Sequence, residues 1–222
     1  MVTVRYLQGR KKMKRFKNFI TEEQIKPKNP VVFSFGRMNP PTTGHEVLVN
    51  KVQELANKNK AHHEVVLSAT HDNDKNPLTP EQKLMHAKRF FPDTNIKMAS
   101  KAEPTLIHHA QRLNKAGHDH LIMVAGEDRV QEYKDLLNRY NGKPNKSGTI
   151  PFSFHKIDVV SAGARDPDAE GAEGMSASKM RDHARNNKFK EFKKGIPSHV
   201  NPEHAKELFN HVKDSLKKPQ TD

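Results

Sequence analysis

The chain has 222 residues, which is enough for one sizeable hydrophobic core and does not require two domains. Its 39 Lys and Arg outnumber its 26 Asp and Glu, for a formal net charge of +13; this favours a phosphate-bearing partner, and solvated lysine surface explains it equally well. Cysteine is absent, which excludes disulfides, thiolate metal sites and cysteine nucleophiles. No apolar run approaches the roughly 20 residues that span a bilayer and no apolar signal segment is present, so we expect a soluble, cytoplasmic protein without membrane partners.

Residues 1 to 30 form a separate segment by composition, because basic residues crowd positions 10 to 17 and prolines follow. This pattern predicts a basic arm or a short amphipathic helix that can bind nucleic acid or another partner. From Met13 the segment also resembles the capsid-targeting peptides on internal proteins of large tailed phages, which end in an Ile/Leu-x-Glu cleavage site, here Ile20 to Glu22. That resemblance implies a phage-encoded protein in the host cytoplasm or the virion interior, and a plain basic arm is the alternative.

Residues 31 to 35, Val-Val-Phe-Ser-Phe, predict a buried strand, and the apolar residues that follow at helical spacing predict a helix. Between them, residues 36 to 45 form a loop at the helix N-terminus, where unpaired N–H groups and the helix dipole favour phosphate. Gly44 allows a ligand to approach the backbone closely, and His45 adds a switchable hydrogen-bond donor. Arg37 adds a permanent cation to the same loop.

Downstream, apolar segments alternate with amphipathic ones in the manner of an α/β domain. Strands are predicted at residues 63 to 69, 95 to 100, 120 to 124 and 151 to 160. Helices are predicted at residues 80 to 91, 105 to 115 and 202 to 216, the first of them capped by Thr79. Residues 31 to 222 are therefore expected to form one Rossmann-like α/β domain, with a parallel sheet of about five strands flanked by helices and a helical C-terminal segment.

Two further segments carry polar groups that can reach a ligand at the carboxyl end of this sheet. Gly126 and Asp128 follow the apolar fourth strand, although Asp128 can equally cap the next helix. Ser176 and Ser178 open a later helix whose N–H groups and hydroxyls can hold phosphate oxygens. Arg181 lies one turn inside that helix, where its guanidinium fork suits the same oxygens.

Other stretches of the chain give no specific indication of a ligand or a reaction. Residues 161 to 174 are mostly small and polar, which favours a mobile flap near the site or a disordered insert. The histidines are densest at positions 62 to 63, 71 and 108 to 109, but none of these groups has a recognised metal-ligand spacing. We therefore interpret them as surface histidines and predict no dedicated metal site.

Three motifs resemble those of a known superfamily. Residues 36 to 45 match without a gap the signature G-[RST]-x-x-P-x-[HT]-x-G-H of the nucleotidyltransferase superfamily, and Met175 to Arg181 resembles its second signature, Ile-Ser-x-Thr/Ser-x-x-Arg. Asn76 to Lys83 resembles the Asn/Asp-Pro-Phe-Thr-x-x-Glu-Arg motif of archaeal-type nicotinamide mononucleotide adenylyltransferases, to which the chain is most similar. Those proteins usually have His where this chain has Thr42, whereas pantetheine-phosphate adenylyltransferases and cytidylyltransferases often have Thr.

The resemblance implies transfer of a nucleoside monophosphate from ATP to an acceptor similar to nicotinamide mononucleotide, with release of pyrophosphate and with Mg²⁺ held mostly by substrate. It assigns Thr42 and His45 to the triphosphate and its transition state, and Arg37, Lys75 and Arg181 to neutralising the β- and γ-phosphates. The nucleotide-binding positions are Phe35, Gly36, Arg37, Gly44, Gly126, Asp128, Ser176 and Ser178. The alternatives are a CTP-dependent cytidylyltransferase and a noncatalytic nucleotide-binding protein packaged in a phage particle.

Overall fold

The computed structural model describes residues 27 to 163 and 175 to 216. The predicted capsid-targeting peptide and most of the predicted flap lie outside the described residues. The strands are β1 (Pro30–Gly36), β2 (His62–Leu67), β3 (Ile96–Met98), β4 (His120–Ala125) and β5 (Lys156–Ser161). The α-helices are α1 (Thr43–Asn59), α2 (Pro80–Phe90), α3 (Leu106–Lys115), α4 (Val130–Tyr140), α5 (Ala177–Arg185), α6 (Phe189–Lys193) and α7 (Pro202–Leu216). Within the described residues, every helix is too short or too polar to cross a membrane.

The five strands form one parallel sheet in the order β3-β2-β1-β4-β5, which confirms the predicted Rossmann-like α/β fold. Chain order reverses between β1 and β4, so the carboxyl ends of these two strands border a crevice of the kind in which open α/β sheets bind ligands. A central parallel strand is covered on both faces, which explains why all six residues of β4 are buried.

The sheet separates two apolar cores, because alternate residues of each strand point to opposite faces. Val32 of β1 packs in the core that includes α1, α2 and the C-terminal helices α5 to α7. Val31 and Phe33, its neighbours in sequence, pack in the core beneath α3 and α4. Helices therefore cover both faces, and the strand ends are where a ligand can approach the sheet.

The predicted strand at residues 151 to 160 is only half present, because β5 begins at Lys156. In the residues that precede β5, the side-chain amide of Asn141 pairs with both backbone polar groups of Phe154. Its Nδ2 donates to the Phe154 carbonyl at 3.1 Å, and the Phe154 N–H donates to its Oδ1 at 2.8 Å. An amide side chain thus takes the place of a neighbouring strand, and the buried ring of Phe154 continues the apolar pattern without a ladder. The first half of the apolar segment consequently keeps one isolated β-bridge, between Phe152 and Asn141, and is not a strand of the sheet.

Candidate active site

The carboxyl ends of β1 and β4 open into a cavity of about 490 Å³, called here the polar cavity. It brings together segments that are far apart in sequence: the loop after β1, the loop before α2, the turn after β4 and the start of α5. The predicted site residues on its wall are Phe35, Gly36, Arg37, His45, Lys75, Gly126, Asp128, Ser176, Ser178 and Arg181. Two predicted site residues, Thr42 and Gly44, are not on this wall.

Thr42 lies behind His45 and orients its ring. Thr42 is the N-cap of α1 and is 1% exposed, so the structure does not place it in direct contact with the polar cavity. Its backbone N–H donates to Nδ1 of His45 at 3.1 Å, and its Oγ1 lies 2.9 Å from the same nitrogen. Because a nitrogen that accepts from a backbone N–H carries no proton, the neutral imidazole of His45 bears its proton on Nε2. His45, which lines the cavity, is therefore fixed in the tautomer in which Nε2 is a donor.

The N-terminus of α1 offers fewer donors than the sequence suggests. The N–H of Thr43 donates to the carbonyl of Gly195 at 2.9 Å, and the N–H of His45 donates to the carbonyl of Thr42 at 2.9 Å. Gly44 faces a second cavity rather than the polar one. The binding capacity of this helix end therefore depends on side chains as well as on the backbone groups expected from the loop sequence.

Asn39 connects all three sequence motifs, and the sequence gives no signal for it because it occupies a variable position of the first signature. Its side chain is buried and pairs with the backbone of Leu78: Nδ2 donates to the carbonyl at 3.3 Å, and Oδ1 accepts from the N–H at 3.0 Å. Its own carbonyl accepts from Nη1 of Arg181 at 2.9 Å. The loop after β1, the loop before α2 and helix α5 are thus held together at one residue.

Arg181 reaches the polar cavity from α5 in a fixed orientation. Beside its bond to Asn39, Nη2 donates to Oγ of Ser178 at 2.9 Å. Burial lowers the pKa of the Arg181 guanidinium from its ordinary value, and the nearby charges of Arg185 and Arg37 lower it further. A guanidinium stays charged at neutral pH despite such a shift, so the site keeps a partly buried cation.

Lys75 is presented to the polar cavity by a loop that Asp72 shapes. Oδ1 of Asp72 accepts from the backbone N–H groups of Asp74, Lys75 and Asn76 at 2.9, 2.6 and 3.0 Å. Partial burial alone would raise the pKa of Asp72, but these bonds and one from the Asn76 side chain bring it well below the usual range. Asp72 is therefore an anion that fixes the loop.

The turn after β4 places a carboxylate at the cavity. A Cβ on Gly126 would lie 2.8 Å from Oδ1 of Asp128, so a side chain at position 126 would displace the carboxylate from its place over the strand end. No side-chain cap forms at the short 3₁₀ turn after β4 or at α4, whose N-cap is Arg129. Of the two roles predicted for Asp128, facing the cavity is the one that its position supports.

A second, more apolar cavity of about 910 Å³ adjoins the polar one and shares Leu48 and Gly126 with it. Sequence reasoning missed this cavity, which lies between α1 and the segment that joins α6 to α7. In the sequence, the one signal was Val47, which belongs to the apolar pattern of α1. In the structure Val47 is 55% exposed and lines this cavity. The lining also includes Ile196, Pro197 and Val200.

Some histidines that were predicted to lie on the surface are buried. His109 is 3% exposed, packs 5.8 Å from the ring of Phe35, and its pKa is lowered by burial and then by the charge of Arg112. The helix α3 turns this residue inward, whereas the adjacent His108 remains outside the core. Residues 27 to 163 and 175 to 216 contain no group of three or more His, Asp or Glu arranged to hold a metal.

Solved structures of other proteins resemble the chain. The Plasmodium falciparum nicotinic acid mononucleotide adenylyltransferase complexed with NaAD matches with a TM-score of 0.50 and 16% identity, covering 83% of this chain and 96% of that chain. Thermotoga maritima TmcAL bound with alpha-thio ATP matches with a TM-score of 0.48 and 12% identity, covering 82% of this chain and 55% of that one. No protein-family model and no curated protein sequence matches the chain. The likeness to the Plasmodium enzyme shows a shared fold.

Proposed function

We propose that this protein is a nucleotidyltransferase that joins a nucleoside monophosphate from ATP to a phosphate-bearing acceptor. An acceptor phosphate oxygen attacks the α-phosphorus of the triphosphate, the bond between that phosphorus and the bridging oxygen breaks, and pyrophosphate leaves. During the reaction, negative charge develops on the oxygens of the transferred phosphoryl group and on the leaving pyrophosphate. It therefore requires positioned cations and donors more than a protein nucleophile.

The observation that carries the proposal is the charge of the polar cavity. Arg37, Lys75 and Arg181 all line it, and none of them takes part in an ion pair within the described residues. One carboxylate, that of Asp128, faces the same cavity, so the three cations leave an excess of positive charge that is stable only where it is solvated or where an anion binds. Phosphate groups are the anions that suit such a cluster best, because Arg forms paired hydrogen bonds to their oxygens and Lys adds a point charge.

His45 is the group proposed to act at the transferred phosphorus. Its Nδ1 is engaged by Thr42, so Nε2 is the nitrogen that can donate to a phosphate oxygen on which charge develops. In this role Thr42 is a positioning residue. Arg37, Lys75 and Arg181 neutralise the β- and γ-phosphates, and Mg²⁺ enters with the triphosphate as part of the substrate.

The nucleoside and the acceptor require space on either side of these phosphates. We assign the base to the adjoining apolar cavity, because Val47, Ile196 and Val200 offer it apolar contacts and Gly126 connects the two cavities. We assign the acceptor to the part of the polar cavity lined by Phe35 and Tyr133, whose hydroxyl donates to the Phe35 carbonyl at 3.3 Å. A mononucleotide such as nicotinamide mononucleotide or its acid is the acceptor favoured by the motifs and by the Plasmodium structure with NaAD.

A CTP-dependent cytidylyltransferase is the second candidate, and Thr42 is the observation that favours it, since His is usual at this position in the adenylyltransferases that the chain resembles. In the structure, however, Thr42 lies behind His45 and not on the cavity wall, so this position does not itself distinguish ATP from CTP. The base therefore has to be identified by assay.

The test is pyrophosphate release with ATP and CTP, each combined with nicotinamide mononucleotide, nicotinic acid mononucleotide and phosphopantetheine. We expect release with ATP and a mononucleotide, and a loss of about 10²-fold or more in kcat for His45→Ala. His62→Ala is the matched control, because His62 is half-exposed at the amino end of β2. Full activity in His45→Ala, or no release with any pair of substrates, would overturn the proposal.

A further inference from the structure

Lys83 is a lysine with no exposed surface, and it lies directly behind the wall of the polar cavity. It is one of the largest fully buried side chains of the protein. From the first turns of α2, its Nζ donates to the carbonyl of Ser68 at 2.6 Å and to the carbonyl of Thr70 at 3.1 Å. Both carbonyl-bearing residues line the polar cavity. The side chain therefore connects α2 to the segment that follows β2.

Lys83 forms no ion pair with a carboxylate of the described residues, although a buried ammonium normally has such a partner. Burial, and after it the nearby charge of Arg37, lower its pKa to about 8, while the charge of Asp72 opposes the shift. The buried charge is costly to the folded protein, and what it gains in return is the pair of hydrogen bonds to the Ser68 and Thr70 carbonyls, which a methionine or leucine could not make. A lysine at this position is therefore explained by the need to hold these two carbonyls.

The two carbonyls that Lys83 binds begin the loop that presents Lys75. Ser68 is anchored on its other side by its N–H, which donates to the carbonyl of Gly36 at 2.8 Å. Beyond Thr70, Asp72 fixes the loop through the N–H groups of Lys75 and Asn76. The wall is thus held at its start by Lys83 and along its length by Asp72.

From this arrangement we infer that Lys83 is a positioning residue for phosphate binding: it fixes residues 68 to 76 against α2 and adds a positive charge behind the cavity wall. The inference rests on the proposed function, because it takes the ligand of the polar cavity to carry phosphates. A charge that cannot be screened by water acts on the cavity more strongly than an exposed lysine at the same distance.

The experiment compares wild type with Lys83→Met, Lys83→Arg and Lys88→Met, an exposed lysine of the same helix. Two quantities are measured without turnover: hydrogen exchange of the amides in residues 68 to 76, and affinity for magnesium tripolyphosphate by calorimetry. For Lys83→Met we expect faster exchange confined to that loop and about tenfold weaker affinity. Lys83→Arg should restore both, and Lys88→Met should change neither.

Each outcome decides the inference. Unchanged loop exchange and unchanged affinity in Lys83→Met would overturn it, as would faster exchange spread evenly over the whole chain. If Lys83→Met does not fold, Lys83→Arg decides, because wild-type exchange in its loop supports the inference and fast exchange there contradicts it. Pyrophosphate release is measured separately, so a wild type that binds tripolyphosphate without turnover would reject the proposed function and leave the role of Lys83 standing.

Discussion

Replacing Asn39 with alanine should loosen the junction of the three motifs. The Asn39 side chain is 2% exposed, and it supplies the hydrogen bonds of the Leu78 N–H and carbonyl at 3.0 and 3.3 Å. Leu78 is fully buried, so both backbone groups would lose a partner in a place that water does not reach easily. Each unsatisfied group costs about 1–3 kcal/mol, and partial relaxation brings the expected loss of unfolding free energy to about 2–4 kcal/mol.

Urea unfolding followed by circular dichroism measures this loss. Asn59→Ala is the control, because the Asn59 side chain is exposed and bonds only within its own helix, to the carbonyl of Leu55; its cost should stay within about 0.5 kcal/mol. We expect the activity of Asn39→Ala to fall as well, since Arg181 is anchored on the backbone of the same residue. A variant as stable and as active as wild type would refute the interpretation of Asn39 as the junction.

Two further predictions concern charge. Arg181→Met should raise the KM for the triphosphate by about 10- to 100-fold, because the guanidinium no longer binds substrate. It should also lower the free energy of unfolding by about 1–2 kcal/mol, because the Asn39 carbonyl and Ser178 each lose a hydrogen bond. Steady-state kinetics and urea unfolding check this, and an unchanged KM contradicts it. Acid should destabilise the fold through His86. Burial, and after it the nearby charge of His211, lower the pKa of His86 to about 4. Between pH 6.5 and pH 4 the unfolded chain binds more protons, so stability falls as pH falls, by up to about 3 kcal/mol. Urea midpoints at pH 7 and pH 4.5 should therefore differ less in His86→Leu than in wild type, and equal differences would refute the assignment.

The fold was predictable because its signals are local. β4 is a short run of buried apolar residues, and Thr79 with Pro80 marks the start of α2; the Thr79 hydroxyl does accept from the N–H of Gln82 at 3.3 Å. The predicted final helix has the bounds Pro202–Leu216 in the structure. Patterns of this kind need only the period of a helix or strand and the chemistry of its ends.

For the candidate site, the sequence predicted many of the residues that line the polar cavity but not their arrangement. Thr42 lies behind His45 rather than on the wall, and this depends on the geometry of the helix cap. Asn39 and Lys83 act through partners that are 39 and 15 residues away in sequence, and no local pattern encodes such contacts. The incomplete strand before β5 was mispredicted for the same reason, because Asn141 replaces the ladder from outside the segment.

The central claim is that the bond to the α-phosphorus of ATP is the one that breaks. It is tested most directly by parallel reactions with ATP labelled at the α- or the γ-phosphorus, in the presence of nicotinamide mononucleotide. Nucleotidyl transfer predicts that the α-label appears in a dinucleotide product and that the γ-label leaves in pyrophosphate. Release of the γ-label as orthophosphate, its transfer to the acceptor, or retention of both labels in ATP would contradict the proposed reaction.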